Sequence, residues 1–215
     1  MDKIIYNLIP KSLIGLMENG GIRKIFNNHI IDYENASEKL FKYEWFPNLN
    51  IDDNDIIKIN NIGKSGKQID KFFSEKIIDV IPVYKKEIND GVFNEILFCY
   101  NHKKYYAAIC ALFPLIDSSL SDKNINSIFI KGDYKKQGLK NRESLINELK
   151  KQEGKLIYKF TKIIINSIED KLDIINLRHD ILHGKNKNID KIMFLKTLSF
   201  YFYILSVSEF INKIN

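Results

Sequence analysis

The 215-residue sequence has only two cysteines, Cys99 and Cys110, and neither lies in a CxxC pair or beside clustered histidines. Two such thiols in apolar surroundings predict reduced, buried side chains rather than a disulfide framework or a metal site. The first fifteen residues also lack the basic segment, the long apolar run and the small-residue cleavage site of a signal peptide. Both absences predict a cytoplasmic protein.

Long hydrophobic runs and alternating strand patterns are missing as well. The most apolar segment, residues 192 to 207, is shorter than the roughly 20 residues that a membrane-spanning helix needs, and it contains Lys196. It predicts a buried last helix and no membrane anchor. No stretch of convincing length alternates apolar and polar residues with a period of two. The fold class predicted by the sequence is therefore all-α.

A polar segment divides the predicted helices into two parts. Residues 47 to 68 are rich in Asn and Asp and have no sustained periodicity, which predicts a loop with one helical turn. We therefore expect a smaller helical N-terminal extension at residues 1–68 and a helical bundle at residues 69–215. The first helix of the bundle has one apolar face up to Pro82, which predicts a break or the start of the next helix.

Further along the bundle, two apolar helices flank His102, and Pro114 predicts a kink in the second of them. Residues 122 to 140 contain two glycines and several Asn and Lys, which predicts a surface connection. A long helix follows over residues 141–172, capped at its start by an asparagine. A last helix is expected over residues 189–211.

Arginine is rare, with three in the chain, and one of them stands beside two histidines. The segment NLRHDILHG, residues 176–184, contains Arg178, His179 and His183. Gly184 follows directly and predicts the end of a helix, where glycine is the usual residue. Five positions of an α-helix turn the side-chain direction by about 140°. Arg178 and His183 therefore converge only if the helix end bends or if a second copy of the chain contributes.

Positive charge is concentrated around this segment. Residues 131 to 196 contain 16 Lys and Arg against 9 Asp and Glu, whereas the rest of the chain has 17 against 18. A local positive field favours a polyanion such as nucleic acid, because each neutralised phosphate releases counterions. A solvated lysine-rich helix face explains the same composition, and the two interpretations stay open at this point.

The chemistry available to Arg178 and His183 suits RNA cleavage. A guanidinium can hold a phosphate through paired hydrogen bonds, and an imidazole can remove or return a proton near neutral pH. RNA supplies its own nucleophile, the ribose 2′-hydroxyl, so that an enzyme needs only to deprotonate it, stabilise the phosphate and protonate the leaving oxygen. DNA lacks this hydroxyl and is not expected to be a substrate.

Two other interpretations use the same residues. His179 and His183 are four positions apart with Asp180 between them, which is similar to the HExxH motif of zinc hydrolases. The acid is Asp, however, and no third ligand is evident downstream. In a purely structural interpretation, Arg178 caps neighbouring carbonyls and both histidines pack at the helix end.

Three segments resemble the HEPN family (higher eukaryotes and prokaryotes nucleotide-binding). The segment NLRHDILHGK, residues 176–185, is similar to the RxxxxH signature of HEPN domains. Residues 105–122, YYAAICALFPLIDSSLSD, resemble an earlier HEPN helix that reads approximately as Ala, two apolar residues, Pro, two apolar residues and an acid. The WFPN segment, residues 45–48, looks like the preamble of bacterial members.

The resemblance implies an all-α, HEPN-like bundle that forms a homodimer in which the two motifs face each other. It implies a metal-independent endoribonuclease without a cofactor, in a toxin, abortive-infection or antiviral defence system, with an antitoxin or another defence protein as a partner. The alternative within the family is a non-catalytic dimer that binds RNA, a nucleotide or a partner protein.

The family pattern also assigns roles to four residues. Arg178 would bind the scissile phosphate and His183 would transfer protons. His179 would occupy the polar position after the arginine, where Asn or Asp is commoner. Asp117 matches the acidic position of the earlier helix and would orient Arg178 by a charge-assisted hydrogen bond. In the structural alternative, Asp117 is an acid at the end of a helix.

Overall fold

The computed structural model describes residues 22–47, 51–63, 65–88, 90–119, 173–185 and 188–212. These ranges contain seven α-helices and no strand, which confirms the all-α prediction. The helices are α1 Ile22–Lys42, α2 Asp53–Asn61, α3 Gly66–Ile88, α4 Gly91–Asn101, α5 Tyr105–Ser118, α6 Asp173–Leu182 and α7 Lys191–Asn212. The predicted surface connection at 122–140 and the predicted helix at 141–172 lie outside the described residues.

The polar segment between residues 47 and 68 contains a nine-residue helix, α2, instead of the single turn that was expected. A reciprocal capping box explains its stability. The Asp52 carboxylate accepts a hydrogen bond from the Asp55 backbone N–H at 2.8 Å, and the Asp55 carboxylate accepts one from the Asp52 N–H at 3.3 Å. Asp55 is also buried against α3, where its carboxylate lies 2.7 Å from Lys76 Nζ.

The helix break predicted at Pro82 is wrong, because α3 continues through this proline to Ile88. A proline inside a helix costs about 3 kcal/mol, through one lost hydrogen bond and a clash with the preceding turn. Packing on both sides of Pro82 offsets this cost: Ile77 is fully buried, and the Tyr84 ring stacks on Phe202 of α7 at 3.8 Å between centroids. Tertiary contacts therefore hold the helix together.

Helix α7 occupies the centre of the fold and confirms the prediction of a buried last helix. It packs against both α3 and α5, and α4 and α5 pack against each other. The side chains of Phe194, Leu198 and Phe202 are fully buried. No helix in the described ranges is both long and apolar enough to cross a membrane.

The predicted N-terminal extension shares its hydrophobic core with the bundle. Trp45 and Phe46 follow α1 and are fully buried. The Phe46 ring lies 4.7 Å from the Phe200 ring of α7, and the Phe46 backbone N–H donates to Ser199 Oγ at 3.2 Å. These contacts tie the end of α1 to the last helix.

A polar cluster of Trp45, Asp70 and Lys196 explains why a lysine stands in the most apolar helix. The indole Nε1–H of Trp45 donates to Asp70 Oδ1 at 2.8 Å, and Lys196 Nζ lies 3.2 Å from the same oxygen. The ammonium group also lies 5.6 Å from the centre of the Trp45 ring, within the range of a cation–π contact. One carboxylate thus accepts a hydrogen bond from the buried indole and forms an ion pair with the mostly buried ammonium group.

Candidate functional site

Arg178 and Asp117 meet where α6 packs against α5. Arg178 Nη2 donates to Asp117 Oδ2 at 2.8 Å, and both side chains are about one-quarter exposed, at 24% and 23%. The charge-assisted hydrogen bond expected between these residues is therefore present. Because the guanidinium is planar and rigid, such a bond orients the whole group.

Helix α6 ends in a Schellman motif, which confirms the prediction for Gly184. This glycine has a φ of +66°, a left-handed conformation that side chains disfavour. The Lys185 N–H donates to the Asp180 carbonyl at 2.8 Å, and the Gly184 N–H donates to the Ile181 carbonyl at 3.0 Å. The motif terminates the helix immediately after Leu182 and places His183 at the C-cap position.

The two histidines of the segment lie side by side on the surface. Both His179 and His183 are exposed. Their ring centroids are 4.2 Å apart, with an angle of 58° between the ring planes. The His183 backbone N–H also donates to the His179 carbonyl at 3.0 Å, so the last helical turn fixes their spacing.

A further ion pair lies at the same helix end. Lys185 Nζ is 3.0 Å from Asp180 Oδ1, and the Asp180 side chain is only 14% exposed. Sequence reasoning did not find this pair; its signal is an acid four positions before the C-terminal glycine and a lysine directly after that glycine. A cation at this position also interacts favourably with the partial negative charge of the last carbonyl groups.

The predicted site residues thus form two pairs, Arg178 with Asp117 and His179 with His183. Within the described residues, no hydrogen bond or ring contact joins the side chains of Arg178 and His183. This outcome agrees with the divergence expected for five helical positions. That the working site needs two chains stays a prediction. The basic excess around the site falls largely on residues 131–172, outside the described ranges.

Tyrosine rings can stack on nucleic-acid bases, but several tyrosines of the apolar helices pack in or against the core. Tyr201 and Tyr203 are buried, and the Tyr100 ring stacks on Phe194 at 4.9 Å between centroids. Burial, with a smaller contribution from the charge of Asp90, raises the pKa of Tyr201 to about 12. The two buried rings, Tyr201 and Tyr203, are therefore not placed to receive a base.

Both cysteines are free thiols and half-buried, less buried than the sequence predicted. Burial raises the pKa of the Cys110 thiol, which lowers its reactivity as a thiolate. Among the residues that the structure describes, no group of three or more His, Cys, Asp or Glu side chains is arranged to hold a metal ion.

No protein-family model matches the sequence, and comparisons with curated proteins and with solved structures also find no match.

Proposed function

We propose that the protein is a metal-independent endoribonuclease of the HEPN type that cleaves RNA as a homodimer. The observation that carries this proposal is the ion pair between Arg178 and Asp117 at 2.8 Å. It joins the two segments whose sequences resemble HEPN helices, residues 105–122 and 176–185. The proposed chemistry requires an oriented arginine, and Asp117 of the earlier segment accepts a hydrogen bond from Arg178.

Arg178 is the phosphate-binding group of this proposal. Its guanidinium has five N–H donors, so an ion pair with Asp117 is compatible with hydrogen bonds to phosphate from the same group. As the 2′-oxygen attacks phosphorus, negative charge accumulates on the non-bridging oxygens. A pre-oriented cation stabilises this charge without having to reorganise during the reaction.

His183 is the proton carrier. It is exposed at the end of α6, where substrate can reach its imidazole. In the proposed reaction a base removes the proton of the 2′-hydroxyl, the 2′-oxygen forms a bond to phosphorus, and the bond from phosphorus to the 5′-oxygen breaks. The leaving 5′-oxygen receives a proton, and the products are a 2′,3′-cyclic phosphate and a 5′-hydroxyl end. An imidazole suits both proton transfers.

A dimer would bring together the Arg178 and His183 side chains, which a single helix keeps apart. In a symmetric dimer, the His183 side chain of one chain can approach the phosphate that the Arg178 guanidinium of the other chain holds. We place this enzyme in a defence or toxin–antitoxin setting, where an antitoxin or another defence protein restrains it in the cytoplasm. The lysine-rich sequence around the motif would contribute contacts to the RNA backbone.

The test compares RNA cleavage by the wild type, Arg178→Ala and His183→Ala in the presence of EDTA. We expect the wild type to cleave RNA but not DNA of the same sequence, and to leave 2′,3′-cyclic phosphate ends. His102→Ala is the matched control for His183→Ala, because His102 is an exposed histidine at the C-cap of α4. Cleavage that persists in both site variants would contradict the assignment.

The second candidate is a non-catalytic dimer that binds RNA, a nucleotide or a partner protein. It is favoured by the separation of Arg178 and His183 into two pairs within the described residues of one chain. It predicts RNA binding that Arg178→Ala weakens, with no cleavage product even at high protein concentration. Cross-linking at the concentrations used for the cleavage assay determines whether the chain is dimeric in either case.

A further inference from the structure

We infer that His179 and His183 form an exchangeable two-histidine site for a divalent transition-metal ion such as Zn²⁺, and that occupancy of this site inhibits RNA cleavage. The inhibitory part rests on the proposed function, whereas metal binding does not. The site differs from that of a zinc hydrolase, because the ion would block the reaction instead of activating water.

The spacing of the two rings fits this role. Two residues four positions apart in a helix lie on the same face, one above the other. Two imidazoles bound to one tetrahedral zinc ion, with Zn–N distances of about 2.0–2.1 Å, have their ring centroids roughly 5 Å apart. The observed separation of 4.2 Å is close to this value. Because both side chains are exposed, small side-chain rotations would complete the geometry.

The position of the pair at the C-terminal end of α6 also favours a cation. The last carbonyl groups of a helix carry partial negative charge, which attracts positive ions. Lys185, which directly follows the glycine at the end of α6, is paired with the Asp180 carboxylate at 3.0 Å, and this pairing reduces its repulsion of an incoming metal. Water would occupy the remaining coordination positions, so the ion would exchange readily with solution.

Occupancy would inhibit cleavage by a direct chemical route. A nitrogen of His183 that donates its lone pair to a metal can neither accept nor release a proton. His183 would then be unable to act on the 2′-hydroxyl or on the leaving 5′-oxygen. The Arg178–Asp117 pair does not include either histidine, so phosphate binding can persist while the chemical step stops.

Zinc binding is measured first, without RNA, by isothermal titration of the wild type, His179→Gln and His183→Gln. We expect one ion per chain and at least an about tenfold weaker affinity in each variant, because the second ligand of a chelate binds at a high effective concentration. His102→Gln is the matched control and should bind like the wild type. Circular dichroism verifies that each variant is folded. Affinities that are equal in all four proteins would overturn the site.

Inhibition is measured as the ratio of the cleavage rate with Zn²⁺ to the rate in EDTA for each protein. In the wild type and in His102→Gln, this ratio should be at least about tenfold below one. It should stay near one in His179→Gln, whatever the metal-free rate of that variant, and excess EDTA should restore wild-type cleavage. A wild type that binds the ion through both histidines but cleaves equally fast refutes the inhibition. If no protein cleaves RNA under any condition, the proposed function and the inhibition both fail, while the titration still decides whether the metal site exists.

Discussion

Asp117 accepts a hydrogen bond from Arg178 at 2.8 Å although 61 positions of sequence separate the two residues. The bond lies between α5 and α6, and each side chain keeps about one-quarter of its surface exposed. A guanidinium in this environment is both oriented and accessible. This combination distinguishes a positioned arginine from an ordinary surface cation, whose side chain samples many rotamers.

Loss of the Asp117 carboxylate should therefore lower catalysis. In Asp117→Ala we expect kcat to decrease by about 10- to 100-fold, because small displacements of a binding group cost rates of this order. Asp117→Asn should retain more activity, since the amide oxygen can still accept the bond from Arg178. Single-turnover RNA cleavage measures the chemical step.

Glu95→Gln serves as the control, because Glu95 is an exposed acid of α4. If Asp117→Ala lowered the cleavage rate no more than Glu95→Gln does, a positioning role for Asp117 would be contradicted. The single-turnover rate constant at saturating enzyme separates positioning from a loss of stability, because a loss of stability changes the amount of active protein and not this rate constant.

Gly184→Ala should destabilise the protein by about 1 kcal/mol, because a Cβ is disfavoured at positive φ even where space is open. Urea unfolding provides the measurement. Gly63→Ala is the matched control, since Gly63 also has open space around it but does not have a positive φ. Equal effects at the two positions would show that the left-handed conformation at Gly184 has no energetic importance.

Lys103→Gly should stabilise the protein by about 0.5–1 kcal/mol. Lys103 has a φ of 59° in the turn that follows α4, where its own N–H and that of Lys104 donate to Tyr100 and Cys99 carbonyls. Glycine adopts this conformation without strain. Lys71→Gly is the control: Lys71 is an exposed residue inside α3, and this change should destabilise the protein because glycine weakens a helix interior. Thermal unfolding of both variants checks the signs.

Asp70→Ala should cost about 2–3 kcal/mol, because it leaves the buried Trp45 indole N–H and the Lys196 cation without their shared acceptor. Lys196→Met should cost less, since Met keeps an apolar stem beside Trp45 and Asp70 keeps its bond to the indole. Denaturant unfolding of the two variants gives the order. The reverse order would mean that the cation, not the carboxylate, holds this cluster together.

The raised pKa of the Tyr201 side chain predicts that the free energy of unfolding decreases at alkaline pH. Its pKa rises from 10.0 to about 12 in the folded protein, mainly through burial. The unfolded chain therefore ionises first, so this contribution is complete below pH 10 and is lost as the pH rises toward 12. One proton limits the slope to about 1.4 kcal/mol per pH unit. The free energy of unfolding of Tyr201→Phe should decrease less steeply than that of the wild type over this range.

Local sequence patterns were sufficient to predict several features of this protein. Helical periodicity and the absence of alternating strands predicted the all-α class, because amphipathic period depends on residues only three or four positions apart. The end of α6 at Gly184 was predictable for a similar reason: glycine alone adopts the left-handed C′ conformation without strain. The proximity of His179 and His183 likewise follows from helical spacing.

Contacts between distant segments were decided by the tertiary structure. The sequence left open whether Asp117 orients Arg178 or simply ends a helix, and only the packing of α6 against α5 brings the two side chains together. Pro82 was predicted to end a helix, but burial of Ile77 and Tyr84 on either side of it stabilises a continuous one. The acceptor for Lys196 is Asp70 of another helix. In each case the stabilising contacts are made with residues that are distant in the sequence. A local sequence pattern carries no information about such contacts.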